Sequence, residues 1–241
     1  MTPPLPTPSC GAAGDDAGRD HDLLVQQVIP GYTSLARLAV ALLAASPLGA
    51  RQGARILVAG CGTGAELLEA RHQRPDWQLT ALDPSEAMLA AARARLGDQP
   101  GITWLASTVE ALASPPSGAP DEAHDGAMAV LVLQALPDDG SKLAFLTALA
   151  RQLKPGAQTL LVDLAEPERS PLQQQLRQAR MGYQRASGLV VDPSSPPRLS
   201  EALHPVGASR LTALVEAAGF GDPARIFQAL DVEGYLLQRR D

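Results

Sequence analysis

The sequence predicts an α/β fold, a mostly parallel sheet with helices on both of its faces. Three observations lead there. Short apolar runs of strand length, such as residues 56–59 and 79–82, alternate with longer stretches rich in Ala and Leu that carry a helical period. A glycine-dense turn, Gly60-Cys61-Gly62-Thr63-Gly64, joins the first of those runs to a helix over residues 66–71. The second run ends in Asp83, an acid placed about twenty residues beyond the glycines, where a ribose diol is hydrogen-bonded in nucleotide-binding sheets.

The remaining elements are taken in chain order. Residues 1–20 are rich in Pro, Gly, Ala and Asp and read as a disordered tail. A short helix over 21–29 is closed by Pro30. A second helix over 32–45 carries an apolar stripe at Leu35, Leu38, Ala39, Leu42 and Leu43 and stops at Pro47. Strand two covers 77–82. The helix over 85–96 has Ser85 as its N-cap and Glu86 in its first turn. Strand three covers 102–106, a turn-rich loop 114–121, and strand four 126–133. Asp139 or Ser141 caps a helix that runs to 153, and strand five spans 159–164. Residues 166–205 break the alternation, with a helix over 172–186 and a Pro-rich loop over 192–197. The last helix, 208–218, stops at Gly219. Residues 224–230 and 232–238 form a closing antiparallel hairpin.

Composition bounds the function. With 241 residues, 45% of them hydrophobic, the chain can build the core of one α/β domain over 21–241. A net charge of −6 speaks against a large nucleic-acid surface. Cys10 and Cys61 are the two cysteines, and they give neither a disulfide framework nor metal-ligand spacing, so no metal is expected. Neither a membrane-spanning run nor a signal peptide is legible, and a cytoplasmic enzyme is the expectation.

The words around the glycines are more specific than the glycines themselves. V-A-G-C-G-T-G at 58–64 and L-D-P-S-E-A-M-L at 82–89 closely resemble motif I and the following acidic motif of class I S-adenosylmethionine-dependent methyltransferases. His124-Asp125-Gly126 through Pro137 resembles that family's fourth-strand segment, and Leu153-Lys154-Pro155-Gly156 resembles its turn before strand five. The likeness is ordered along residues 25–240. It implies a Rossmann-like seven-stranded sheet, order 3-2-1-4-5-7-6 with strand 7 antiparallel. It also implies S-adenosyl-L-methionine as cofactor, with residues 21–50 and 166–205 as a lid.

Carried over position by position, the resemblance assigns the cofactor to Tyr32, Gly60, Cys61, Gly62, Gly64, Asp83, Pro84, Met88, Thr108, Val109 and Gln134. Two departures stand out. Val58 occupies a place where the family usually has an acid that anchors the amino-acid end of the cofactor. Ser107-Thr108-Val109-Glu110 lacks the Asp that reads the adenine, leaving the backbone of Thr108 and Val109 for that task. Tyr32 and His204 are candidate contacts at the reacting end, His204 as a base. No general base is legible elsewhere, and in-line transfer from a sulfonium gains much of its rate from positioning and desolvation.

The expected reaction is methyl transfer to a small molecule, because the Pro-Pro-aromatic motif of amino-directed enzymes and the Pro-Cys nucleophile of cytosine enzymes are absent. Nucleic acid and membrane are not expected partners, and a homodimer is compatible with the chain. One alternative shares the fold. I-P-G-Y at 29–32 and F-Q-A-L-D-V-E-G-Y-L at 227–236 resemble the carboxy-S-adenosylmethionine synthase of tRNA wobble-uridine modification, which needs an arginine that Arg198 does not match by position. A non-catalytic cofactor-binding module is another. A nicotinamide-dependent oxidoreductase would need Tyr-x-x-x-Lys, but Ala36, Ser187 and Arg239 stand at that spacing after the three tyrosines.

Overall fold

The computed structural model describes residues 21–97, 99–113, 122–167, 169–189, 203–221 and 223–240. The tail 1–20 and the loops expected over 114–121 and 192–197 lie outside the described residues. The elements are α1 (His21–Val28), α2 (Tyr32–Ala44), β1 (Arg55–Ala59), α3 (Ala65–Gln73), β2 (Gln78–Asp83), α4 (Glu86–Leu96), β3 (Ile102–Ala106), β4 (His124–Val130), α5 (Ser141–Arg151), β5 (Leu153–Leu164), α6 (Gln173–Ala186), α7 (Ala208–Ala217), β6 (Ala224–Ala229) and β7 (Val232–Gln238). One seven-stranded sheet has the order β3-β2-β1-β4-β5-β7-β6. β1 pairs in parallel with β2 and β4, whereas β7 runs antiparallel to β5 and β6. The expected topology is the observed one.

The central strands are buried on both faces, which is why they read as unbroken apolar runs. Val58, Leu67 and Met128 belong to one core cluster. Leu57, Ala127, Leu146 and Leu161 belong to a second. α2 adds Leu35, Ala39, Val40 and Leu43 to the core. Val40 takes the inward place that the stripe assigned to Leu38 and Leu42, which are half-buried. Trp77 lies just outside β2, fully buried, with its indole N–H donating to the Gly49 carbonyl at 2.9 Å and the Arg74 guanidinium over its ring. Among the described residues no single helix is long and apolar enough to cross a membrane. α1 and α2 pass that test only as a pair bent by 94°.

Several boundaries differ from the sequence reading. β4 ends at Val130, because Leu131 turns into the left-handed region (φ 59°) and Leu133–Ala135 forms a 3-10 turn. α5 starts after Gly140 rather than at a side-chain cap, although Asp139 Oδ1 still accepts from the amide and hydroxyl of Ser141. It stops at Arg151, and Leu153 opens β5 six residues early by pairing with His124 across a register shift. Elsewhere the local signals hold. Ser85 caps α4 by accepting from the Met88 amide at 3.3 Å, and Gly219 takes φ 95° just past α7.

Helices α3 and α4 approach closely at Gly64, which has φ +84°. A Cβ there would lie 2.9 Å from Leu96 Cδ1 and 3.2 Å from Ala92 Cβ. Gly53 has a similar φ of +71° with nothing within 4 Å. Gly53→Ala is expected to lose only the backbone cost, about 1–2 kcal/mol. Gly64→Ala should lose a further 1–3 kcal/mol or so from overpacking. Denaturant unfolding of both variants measures the difference, and equal losses would show that the helix approach carries no strain.

Candidate active site

The site is built where β1, β2 and β4 end. Beyond Ala59 the chain is pinned at once to the end of β2. The amides of Gly60 and Cys61 both donate to the Leu82 carbonyl, at 2.7 and 2.9 Å, and the Gly62 amide donates to Asp83 Oδ2 at 2.9 Å. The other carboxylate oxygen of Asp83 accepts from the Ser85 amide at 2.8 Å. A Cβ on Gly60 would meet Val132 Cγ2 at 2.4 Å, so the glycine turn lies directly against the turn after β4. Gly62 (φ +50°) faces open space instead.

That space is a cavity of about 470 Å³, within the range that encloses a ligand of cofactor size. Gly60, Cys61, Gly62, Asp83, Pro84 and Met88 form one side. Residues 130–132 and 134–136, Gln134 included, form the other. Tyr32 of α2 and His21 and Val25 of α1 stand over both.

The remaining expected site residues lie elsewhere. Gly64 packs against α4 rather than bordering the cavity. Thr108 is exposed, and Val109 is buried among core residues of the second cluster. Ser107 donates its amide to the Asp83 carbonyl, which continues the β2–β3 pairing and carries the chain past the cavity. The backbone amide of His204 donates to the Gln134 carbonyl at 2.7 Å, but the residue does not line the cavity.

Several residues around the site carried no signal in the sequence reading. Asp22 of α1 accepts from the Thr63 hydroxyl and pairs with Arg95 of α4 at 2.5 Å, fastening α1 to the glycine turn. Glu66, in the first turn of α3, lines the cavity although it is only 5% exposed. The turn after β4 is held from behind by two buried charged groups. Lys142 Nζ donates to the Leu133 carbonyl at 2.5 Å, and Asp163 Oδ1 accepts from the amides of Gln134 and Leu164, each at 2.9 Å.

Burial sets the protonation of this region. The Cys61 thiol is pushed up to about 12 by burial, with Asp83 and Glu66 adding to the effect, so it stays protonated and is no nucleophile. Burial, then Glu66 and Asp22, raise Tyr32 well above the usual phenol range, which keeps its hydroxyl a donor. Glu66 and Asp163 are each raised to about 7 by burial. Hydrogen bonds from backbone amides oppose that rise in both.

Comparison with known proteins places this geometry. Residues 56–156 match the family described as "Methyltransferase domain". These residues make up a methyltransferase domain, and the strand order is that of the class I S-adenosylmethionine-dependent methyltransferase fold. It is 41% identical over 122 residues to a trans-aconitate 2-methyltransferase of Methylobacterium nodulans, covering 50% of this chain and 41% of that protein. It is 35% identical over 169 residues to the protein of that name from Methylobacterium radiotolerans, covering 70% of this chain and 59% of that one. The chain thus spans about half the length of these two relatives. Solved methyltransferases share the fold at low identity. The 1,6-didemethyltoxoflavin-N1-methyltransferase of Burkholderia thailandensis, solved with its acceptor and S-adenosylhomocysteine, has a TM-score of 0.59 and 20% identity, covering 100% of this chain and 94% of that one. Human N-acetylserotonin methyltransferase, solved with S-adenosylmethionine, has a TM-score of 0.61 and 17% identity, covering 98% and 61%.

The buried acid behind the methyltransferase cavity has a checkable cost. Asp163 is raised from 3.8 to about 7 in the fold. Its contribution to stability is therefore fully present below pH 3.8 and is lost as pH rises through about 7. The melting temperature of the ligand-free protein should fall between pH 5 and pH 8. Asp163→Asn keeps a carbonyl acceptor and should shrink that fall. Asp163→Ala orphans the two amides and should cost about 1–3 kcal/mol at both pH values. A wild-type and Asn variant with parallel pH profiles would contradict the assignment.

Proposed function

We propose that this methyltransferase moves a methyl group from S-adenosylmethionine to a small molecule bearing carboxylates. The observation that carries the cofactor half is the convergence of Asp83, the glycine turn and Gln134 on one cavity at the point where the strand order reverses. In this reading Asp83 accepts from the ribose hydroxyls with the lone pairs that Gly62 and Ser85 leave free. Met88 and Pro84 lie against the adenine. The amino-acid end passes the open space before Gly62 toward Tyr32. When bound, the cofactor supplies a methyl group on a sulfonium, which is displaced in line by the acceptor. The chain's part is to align donor and acceptor and to exclude water, with α1 as the cover. His204 has no role in this reading, since it does not line the cavity. Among the described residues no arginine lines the cavity, and Arg198 lies outside them.

The acceptor half rests on a second cavity of about 550 Å³ between α6 and the β6–β7 hairpin. Arg177, Arg180 and Arg225 line it, together with Glu166, Asp231 and Glu233. Arg180 pairs with Asp231 and Arg225 with Glu233, while Arg177 is exposed. The hairpin turn stands at the same rim as the cofactor cavity, because Val232 pairs with the last residue of β5. The names of the two relatives point to the same chemistry. A carboxylate is already ionised at neutral pH, so its methylation needs no general base. A cytoplasmic place of action belongs to this reading.

Calorimetry with S-adenosylhomocysteine and mass spectrometry of reactions with trans-aconitate and other polycarboxylates test the two halves. Asp83→Ala should lower S-adenosylhomocysteine affinity at least about tenfold. It should also lower stability, since the Gly62 and Ser85 amides lose their acceptor. Unchanged affinity would remove Asp83 from the ribose. Cofactor binding without a methyl ester from any polycarboxylate would reject the acceptor class and leave the cofactor assignment standing.

A further inference from the structure

The acid that the family places two residues before the first glycine is replaced here by Val58, which is 2% exposed and packed in the core. No charge at that position can meet the ammonium group of the cofactor. We propose that Glu66 is the counter-ion of the α-ammonium at the amino-acid end of the cofactor. The inference rests on the cavity being the S-adenosylmethionine site.

The geometry favours Glu66 on three counts. It lies just past the glycine turn, in the first turn of α3, where the helix N-terminus favours an ionised carboxylate. It lines the cavity while nearly all of its surface is withdrawn from solvent. Among the described residues it has no salt-bridge partner. Arg95, the cation that acts on it, is already engaged by Asp22. An isolated buried carboxylate is costly unless a cation pairs with it. The groups that bear on it come from every side. Asp22 of α1 adds negative potential, Tyr32 of α2 stays neutral, Cys61 of the turn stays a thiol, and Arg95 of α4 partly offsets Asp22. A cationic ligand group is what this arrangement lacks.

Protonation links to the proposal with a definite sign. Without a ligand the Glu66 carboxyl is raised to about 7, chiefly by burial. An ammonium favours its ionised form, so binding below pH 7 releases that proton to solvent. Affinity should fall as pH falls.

Two probes separate this contact from the rest of the site. S-adenosylhomocysteine carries the amino acid, and 5′-methylthioadenosine carries the same nucleoside and thioether without it. Glu66→Gln, a near-isosteric change, should weaken S-adenosylhomocysteine at least about tenfold and 5′-methylthioadenosine by no more than about twofold. The second probe also reports that the variant is folded. Wild-type affinity for S-adenosylhomocysteine should drop about tenfold from pH 8 to pH 6, and the variant's should not. Equal losses for both probes, no loss for either, or tighter binding at low pH would each overturn the proposal. If the wild-type protein binds neither probe, the cofactor reading itself fails and the inference falls with it.

Discussion

Three consecutive amides, from Gly60, Cys61 and Gly62, are taken up by the last two residues of β2. The shape of the site depends on this fastening. It bends the chain sharply away from β1, aims α3, and holds Asp83 in one orientation. It also sets the glycine turn against Val132, so that the two turns form facing walls instead of one flat rim. Each glycine then answers a different demand. At Gly60 the neighbour is the opposite wall, at Gly64 it is helix α4, and at Gly62 it is the open space of the cavity.

The fold was legible wherever a residue's partners are local or its strand lies wholly inside. β1, β2, β3, α4, α7 and the closing hairpin fall within a residue or so of their expected bounds, because apolar runs, a Ser cap and a stopping Gly act over a few positions. Boundaries fixed by distant groups were not legible. The end of β4 is set by Lys142 and Asp163, whose polar atoms take over the backbone of Leu133 and Gln134 from two other elements. Half of the site was legible for the same reason. The glycine turn and Asp83 sit on adjacent strand ends, and Met88 lies in the first turn of the helix that follows. Thr108 and Val109 do not line the cavity, because Thr108 faces solvent and Val109 packs into the core. Asp22 carries no pattern in the sequence, since its contact comes from α1 folding across the turn.

The region around the cavity spends stability on charge. Glu66, Lys142 and Asp163 are all buried, and burial shifts each of them toward its neutral form. Lys142 and Asp163 recover part of this through backbone hydrogen bonds, and in doing so they stiffen the turn after β4. Asp163 Oδ2 and Gln134 Oε1 keep unused acceptor capacity beside them, within a cavity of only about 10 Å³. The volume suits at most one water molecule.

The outermost strand on the side of the hairpin is β6, and its pairing with β7 shifts register between Arg225 and Phe227. Ile226 therefore has no partner across the ladder, and the strand kinks where a neighbour would otherwise add on. Another copy of the chain cannot lengthen the sheet there in unbroken register, and Arg225 would place a charge in the seam.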